Sequence, residues 1–495
     1  DTFPEQHTRR FRPSAHPLGV SISGGGFRSF SCGIGQLRAL HAMGLVDRVG
    51  CISGVSGGAW LASLYAFAPG DLSDADLLGP AIPPEQLDLP TLDQVHGAFL
   101  GAPLEHIDTL DTVAGLVRGG MTAENLFAAF LAEAVLAHFR LAGPRPMARD
   151  ARHASAILAA NLDLPLADFL LPRPGRPFVV MGASAIMDTD DDPLHVPLEI
   201  TPMYSDFPVE RTWKGRSVGP GWIETFALDG RNPTRLDRGR VRVDVPGHGF
   251  GLQAAWAATG DAPGGALARL GARLGLDFET LVPQADLWSL VRAGPAQTMP
   301  LVDGGYLENT GIPALIRRGY TRIVAFVNGS VSVGSIRPDT VQGIQDQVAM
   351  LFGLVPPASL RYPEAAVFEE DGFEPLQRDL TASRNRGDLP WHLGTHRVRP
   401  DNPFGLPPIE VQVLWMVNDR AASWLTRLPD HVEDQLAITG AGQGLTRFPH
   451  YHAAFANPSD VFRLRGRQVN LLAHMWCDAV KARARELDAL LDTSR

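Results

Sequence analysis

Short apolar runs alternate with helical patterns in the first 70 residues of the chain. Residues 18–22 and 49–52 are mostly apolar, which predicts two buried β-strands. A helical pattern follows each run, over residues 30–40 with Gly44 as the expected C-cap, and over residues 59–67. Because short connections are right-handed, this strand–helix–strand–helix order predicts an α/β unit with both strands in one parallel sheet.

Further elements are predicted along the rest of the chain. Residues 69–176 are rich in Leu and Ala and broken by Pro and Gly, and they read as a helical insertion. Strand patterns occupy residues 177–187, 198–203, 298–302, 322–327 and 409–417. Helical patterns occupy residues 106–117, 123–139, 250–258, 264–274, 312–318 and 470–491.

Composition narrows the classes of partner. The net charge of −10 and the pI of about 5.8 argue against nucleic acid and strongly anionic membranes, since both select a basic surface. The three cysteines, of which Cys32 and Cys51 are expected to be buried, offer no disulfide framework. No apolar run reaches the roughly 18 residues of a spanning helix, so we expect a soluble or peripheral membrane protein.

The start of the chain differs in character from residues 18 onward. Residues 1–17 are polar and contain Pro, and we expect them to form an N-terminal arm outside the core. The chain begins at Asp1 without Met, which is compatible with removal of a leader and leaves the compartment open.

Two glycine turns present reactive side chains after predicted strands. The sequence GVSGG places Ser56 at the tip of a tight turn between a strand and a helix, the pattern of a nucleophile elbow. Much later, the sequence DGG places Asp303 on a turn after another apolar run. A serine hydroxyl needs a base within hydrogen-bond reach, so we predict that Ser56 is a nucleophile and Asp303 its base. A carboxylate is a weak base at its ordinary pKa of about 3.9, so burial is expected to raise the pKa of Asp303.

A third glycine turn, SGGGFR at residues 23–28, exposes backbone N–H groups that let an anion approach closely. We expect the N–H groups of Gly25 and Gly26, with that of Gly57, to hold an oxyanion. A dinucleotide site is disfavoured, because Ser29 stands where G-x-G-x-x-G needs its third glycine. The turn also lacks the G-K-[ST] ending of a nucleotide phosphate loop.

Other polar residues offer alternative sites. A late histidine would complete a Ser–His–Asp triad, and the candidates are His392, His396, His450, His452 and His474. The pair His450 and His452 would also suit a metal. The spacing of a calcium loop occurs at Asp188, Asp190, Asp192 and Glu199. Pro193 stands where such a loop needs glycine, so a solvated acidic turn is expected instead.

The order of the motifs GGGxR, GxSxG and DGG resembles that of the patatin-like phospholipases. SGGGFR, SGVSGG, EITPMYSDFP at residues 199–208 and FPHYHAAF at residues 448–455 are most similar to the branch of cytosolic sn-2-cleaving phospholipases A. Asn309 and Pro313, after DGG, also match the family pattern. The resemblance implies one α/β domain over residues 18–495, with a mostly parallel central sheet sandwiched by helices and a helical insertion at about 69–176.

The same resemblance implies a serine lipid acyl hydrolase of the phospholipase A or lysophospholipase type. Its site would be a dyad of Ser56 and Asp303 without a catalytic histidine, metal or cofactor. Arg28 would approach the phosphate of a phospholipid or lysophospholipid at a peripheral membrane contact, or would instead brace its loop by an ion pair. Transacylase and galactolipase activities are compatible with this site. A Ser–His–Asp esterase of small esters and a catalytically idle lipid-binding protein are the alternatives, and the oligomeric state is left open.

An apolar stripe marks the middle of the insertion, at Leu126, Phe127, Phe130, Leu131, Ala134 and Val135. Such a stripe usually packs in the core, and we expect that here. In a lipid-cleaving enzyme the alternative is a lid or an interfacial contact.

Overall fold

The computed structural model of the protein describes residues 3–95, 97–162, 168–187, 194–213, 216–237, 240–245, 247, 249–260, 283–287, 297–333, 344–354, 365–437, 445, 447–451 and 464–492. The predicted helix at 264–274, the acidic residues Asp188, Asp190 and Asp192, and His452 lie outside the described residues.

The strands of the described part are β1 Leu18–Ile22, β2 Val49–Val55, β3 Phe178–Ile186, β4 His195–Ile200, β5 Tyr204–Phe207, β6 Arg211–Trp213, β7 Arg216–Val218, β8 Gly221–Glu224, β9 Arg231–Arg235, β10 Val241–Asp244, β11 Gln284–Leu287, β12 Gln297–Asp303, β13 Arg322–Val327, β14 Trp391–Arg397 and β15 Glu410–Val417.

The α-helices of the same part are α1 Gly26–Ala42, α2 Gly57–Phe67, α3 Asp74–Leu78, α4 Leu89–Asp93, α5 Ala102–Glu105, α6 Thr109–Arg118, α7 Ala123–Ala134, α8 Ala151–Ala160, α9 Leu252–Gly260, α10 Ile312–Arg317, α11 Ile344–Leu351, α12 Phe373–Asn385, α13 Ala422–Leu425, α14 Asp430–Ala437, α15 Gly466–Lys481 and α16 Ala484–Leu491.

One mixed sheet forms the centre of the described structure, with the strand order β14-β15-β13-β1-β2-β3-β4-β5-β8. The prediction of parallel strands holds for the central five, β15, β13, β1, β2 and β3. The strands outside them pair antiparallel, so the sheet as a whole is mixed rather than mostly parallel. Every residue of β1 and β2 is buried, as expected for parallel strands covered on both faces.

Helices cover both faces of the sheet, which confirms the predicted α/β sandwich. On one face, the apolar side chains of β1 pack with those of α1, α2 and α15 and with the insertion. On the other face, alternate side chains of β13 and β15 pack with α10, α11 and α12. Successive side chains of a strand point to opposite faces of the sheet, so Val324 belongs to the apolar core on one face and Ile323 to the core on the other.

The insertion is helical, as predicted, and its apolar stripe belongs to the core. Leu126, Phe127, Phe130, Leu131 and Val135 are all buried within the same apolar cluster as α1 and α2. A lid built from this stripe would expose these side chains, so the core interpretation is confirmed.

In the described part of the N-terminal arm, residues 3–17, Glu5 is buried in the protein, contrary to expectation. Glu5 is only 1% exposed, and its carboxylate accepts from Arg318 at 3.0 Å and from the Tyr204 hydroxyl at 2.8 Å. Arg10 donates to the carbonyl oxygen of Val49, at the start of β2, at 2.5 Å. The arm was predicted to lie outside the core because it is polar, but its buried carboxylate at Glu5 is paired with Arg318 from a distant element.

Glu199 also differs from its expected place. It lies buried in β4, not in a solvated turn, and it pairs with Arg317 at 2.7 Å and with Arg318 at 2.5 Å. These two arginines hold the pKa of Glu199 at about 2 despite its burial.

Strand β12 enters the sheet in an unusual position. It pairs antiparallel with residues 183–185 of β3. Residues 178–182 of β3 pair with β2 along the same edge. Val55, the last residue of β2, lies beside Gly182, and Asp303, the last residue of β12, lies beside Ala183. The two strands therefore meet end to end along one edge of β3.

Candidate active site

Ser56 lies at the tip of the turn between β2 and α2. Its backbone has φ 51° and ψ −128°, a conformation that residues other than glycine rarely adopt. A methyl group on Gly58 would lie 2.2 Å from the carbonyl oxygen of Ile22, so the turn can pass β1 only with glycine there. The predicted elbow is therefore present, and it leaves Ser56 buried with 5% of its surface exposed.

The glycine-rich loop brings a second helix to the same point. Gly25 precedes α1 with φ 141°, which favours glycine, and a methyl group on Gly57 would lie 1.9 Å from the carbonyl oxygen of Gly26. The N-termini of α1 and α2 therefore abut. Within the described chain, the N–H groups of Gly25, Gly26 and Gly57 donate to no acceptor. Three free donors and two positive helix ends form a cradle for negative charge.

Asp303 reaches Ser56 because β12 ends against β2. The Ser56 hydroxyl lies close enough to the Asp303 carboxylate to lower its pKa, and the N–H of Gly305 donates to Asp303 Oδ1 at 2.8 Å. Only 4% of Asp303 is exposed, and burial raises the pKa of its carboxyl to about 6 although the Ser56 hydroxyl and the Gly305 N–H lower it. The structure thus brings together the predicted nucleophile and base, and the pKa of the acid rises as expected.

Arg28 lies buried behind the glycine-rich loop. Its guanidinium donates to the carbonyl oxygens of Asn328 at 3.1 Å and Tyr451 at 2.6 Å. No carboxylate of the described residues pairs with it, so the loop is braced by hydrogen bonds to carbonyl oxygens and not by the ion pair that was one of the two alternatives for Arg28. A methyl group on Gly25 would lie 2.7 Å from Arg28 Nη2, so this part of the cation borders the cradle. Burial lowers the pKa of Arg28 to about 10, which leaves it charged at neutral pH.

Asn328 is a residue of the site that sequence reasoning missed. Its N–H donates to Ser23 Oγ at 2.7 Å, its side chain donates to Ser29 Oγ at 2.9 Å, and its amide oxygen accepts from Gln36 at 2.7 Å. These bonds fix both ends of the glycine-rich loop. Its position in the sequence could have identified it, because Asn328 directly follows β13, the parallel neighbour of β1.

The described late histidines have partners of their own. His392 bonds to Asp379 at 2.8 Å, His396 accepts from Trp415 at 2.9 Å, and His474 lies 3.1 Å from Arg38. His450 lies 3.3 Å from the carbonyl oxygen of Asn418. In the described part of the chain, the side-chain and backbone partners of the Asp303 carboxylate are Ser56 and Gly305, with no histidine among them.

The described residues offer neither a metal cluster nor a membrane span. Among them, no group of three or more His, Cys, Asp or Glu side chains is arranged to hold a metal ion. The same residues include no helix with the length and hydropathy needed to cross a bilayer.

A small cavity lies on the other side of the acid turn. Its lining includes Ser53, Val55, Gly304, Leu307 and Glu308, but neither Ser56 nor Asp303. Its volume of about 50 Å³ suits one or two water molecules and is too small for an acyl chain.

Residues 20–166 match the family model described as patatin-like phospholipase. The match includes the glycine-rich loop and Ser56, and it ends before Asp303. No curated protein matches the chain.

Solved structures of human GIVD cytosolic phospholipase A2 are similar to the chain. One has 16% identity and a TM-score of 0.47, with 96% of this chain and 60% of that chain covered. Another, in complex with methyl gamma-linolenyl fluorophosphonate, has 15% identity and a TM-score of 0.48, with 97% and 59% covered. This chain thus spans about 60% of the length of those proteins. The family match over residues 20–166 confirms the resemblance to the patatin-like phospholipases that the motifs predict.

Proposed function

We propose that the protein is a serine lipid acyl hydrolase in which Ser56 and Asp303 act as a dyad. One observation carries the proposal: the Ser56 hydroxyl lies against a buried carboxylate, whose pKa it lowers, beside three N–H groups that donate to no acceptor in the described chain. The family match over residues 20–166 supports the same class of reaction.

Acylation begins when Asp303 takes the proton of the Ser56 hydroxyl. The serine oxygen then attacks the carbonyl carbon of the ester, and the carbonyl π electrons move to its oxygen. The N–H groups of Gly25, Gly26 and Gly57 hold this oxyanion, and removing one such donor typically costs about 3–4 kcal/mol. When the tetrahedral intermediate collapses, the bond to the leaving oxygen breaks, and Asp303 returns its proton to that oxygen.

Deacylation repeats these steps with water as the nucleophile. Asp303 takes a proton from the water, and the resulting hydroxide attacks the carbonyl carbon of the acyl-enzyme. The same N–H groups hold the second oxyanion. Its collapse releases the fatty acid, and the proton on Asp303 passes to the oxygen of Ser56, which restores the dyad.

The raised pKa of Asp303 suits this role. A carboxylate with a pKa of about 6 is mostly ionised at neutral pH, yet it is a stronger base than an exposed aspartate. Burial thus gives Asp303 a basicity closer to the working pH without help from histidine.

The substrate class proposed is a phospholipid or lysophospholipid, met at a peripheral membrane contact. Arg28 supports this choice, because it is a buried cation that borders the cradle and has no carboxylate partner among the described residues. A planar guanidinium binds phosphate oxygens well. The Arg28 groups not engaged with Asn328 and Tyr451 would meet the phosphate of the bound lipid.

The proposal is tested with a mixed panel of phospholipids, lysophospholipids and small esters, with products identified by mass spectrometry. We expect fatty acid release from the phosphate-bearing lipids by the wild type and none by the Ser56→Ala variant. Release from small esters alone would favour an esterase. Full activity of Ser56→Ala and Asp303→Ala would contradict the dyad, and no release from any substrate would favour an idle lipid-binding protein.

A further inference from the structure

Asn309 links the two glycine turns that carry the site. It follows the acid turn, and its carbonyl oxygen accepts from the N–H of Gly24 at 3.1 Å. The preceding Glu308 fixes this segment, because its carboxylate accepts from the N–H of Gly311 at 2.8 Å and bonds to Thr310. The backbone of Asn309 is therefore held from both sides.

The side-chain amide of Asn309 borders both members of the dyad. A methyl group on Gly24 would lie 2.2 Å from Asn309 Oδ1 and 3.1 Å from the Cβ of Ser56. A methyl group on Gly305 would lie 2.6 Å from the same Oδ1 and 3.1 Å from Asp303 Oδ1. The two glycines leave just enough room for the amide, so this one polar group lies against the nucleophile's turn and the base's turn together.

This amide has no hydrogen-bond partner among the described residues, although Asn309 is 94% buried (6% exposed). Its oxygen and nitrogen are not among the fully buried polar atoms that lack a partner, so the amide stays accessible to water or to a ligand. Asn470, equally buried at 4% exposure, instead donates to the carbonyl oxygens of Leu92 and Gln94. The free amide of Asn309 is thus available to a molecule bound at the dyad.

The reaction offers one oxygen that needs such a partner. By microscopic reversibility, the leaving oxygen of acylation and the water of deacylation occupy the same position, beside Asp303. The leaving oxygen needs a donor and the water needs an acceptor, and a side-chain amide provides both.

We propose that Asn309 is a third catalytic residue, whose side-chain amide holds the leaving oxygen during acylation and the attacking water during deacylation. The inference rests on the proposed function and adds to it a contact with the reacting oxygen. It also explains why Gly24 and Gly305 are glycines, since any side chain at either position would displace the amide.

The test compares Asn309→Ala and Asn309→Asp with Asn470→Ala. We measure kcat and KM on lysophosphatidylcholine, the rate of Ser56 labelling by a fluorophosphonate probe, the pH profile and Tm. Asn309→Ala should lower kcat about 10- to 100-fold with KM little changed, the loss expected for one hydrogen bond in the transition state. Asn470→Ala should lower Tm and leave kcat unchanged.

Asn309→Asp keeps the size of the side chain and serves if the alanine variant does not fold. Its carboxylate would lie beside that of Asp303, so the acid limb of the pH profile should move to higher pH. This shift tests whether the two side chains are adjacent, and the loss of kcat at little-changed KM tests the contact with the reacting oxygen. Wild-type kcat and an unmoved limb in the folded variants would overturn the inference alone. A wild type that the probe does not label at Ser56 would overturn the proposed function and this inference with it.

Discussion

Val55 and Asp303 lie beside consecutive residues of β3, Gly182 and Ala183, although they are far apart in the sequence. One is the end of a parallel strand and the other is the end of an antiparallel strand. Since Ser56 directly follows Val55, this register sets the serine against the aspartate. Sheet pairing, together with the elbow turn after Val55, therefore positions the proposed dyad and gives it a rigid base.

The pH dependence of the reaction should follow Asp303. Its pKa is raised to about 6 by burial, and only the ionised carboxylate can accept the proton of Ser56. We expect kcat/KM to fall about tenfold per pH unit below this value, and to be nearly flat between about pH 7 and 8. A pH–rate profile on a substrate without ionisable groups measures this. An acid limb near pH 4, in protein that stays folded, would contradict the burial argument.

Gly57 should tolerate no side chain. A methyl group there would lie 1.9 Å from the carbonyl oxygen of Gly26, so α1 and α2 would be forced apart and the cradle with them. We expect Gly57→Ala to lower kcat at least ~100-fold, and to lower the free energy of unfolding by roughly 2 kcal/mol or more.

Gly115 provides the matched control for this substitution. It lies within α6, and nothing stands within 4 Å of a methyl group there. Gly115→Ala should raise the free energy of unfolding by about 0.5–1 kcal/mol and leave kcat unchanged. Similar effects of the two substitutions would show that the contact between the helix ends is unimportant.

The sequence predicted the central strands and the turns that carry the residues of the site. β1 and β13 have the predicted bounds, because strands buried on both faces appear as short apolar runs. The glycines of the elbow, the glycine-rich loop and the acid turn identified these three turns in the sequence. The sequence did not predict that β2 and β12 meet end to end, since the register of these strands depends on pairing with β3, which no local pattern encodes.

Strands at the far edge of the sheet and in the hairpins beyond it were missed for a different reason. β9 is largely exposed and has the sequence RNPTR, so it shows no alternation of apolar side chains. The predicted closing helix is in fact two, α15 and α16, with a break at residues 482–483. Apolar periodicity continues across this break, and it therefore predicted one helix.

Arg28 should matter more for phosphate-bearing substrates than for neutral ones. Arg28→Met removes the charge and the bonds to Asn328 and Tyr451, which hold the glycine-rich loop. We expect kcat/KM to fall for every ester, and to fall at least about 10-fold more for a lysophospholipid than for a neutral ester. The comparison on one enzyme preparation corrects for loop damage. Equal losses on both substrates would mean that Arg28 only braces the loop.

The arm should contribute to stability through Glu5. Glu5→Ala would remove one of the carboxylates that neutralise the buried Arg318. Breaking a buried pair in this way costs about 3–5 kcal/mol, although the remaining bond to Glu199 should keep the loss near the lower value. Urea unfolding of Glu5→Ala measures it.

The control for Glu5 is Glu410, whose ion pair with Arg397 at 3.6 Å is exposed on both sides. Glu410→Ala should change the free energy of unfolding by less than about 1 kcal/mol. Equal effects of the two substitutions would mean that the arm is not part of the folded core.

The most direct test of the dyad is covalent labelling of Ser56 by a fluorophosphonate, followed by peptide mass spectrometry. We expect a single adduct on Ser56 in the wild type, and labelling at least ~100-fold slower in Asp303→Asn, since a neutral amide cannot take the serine proton. Labelling of another serine, or wild-type labelling of Ser56 in a folded Asp303→Asn variant, would contradict the dyad.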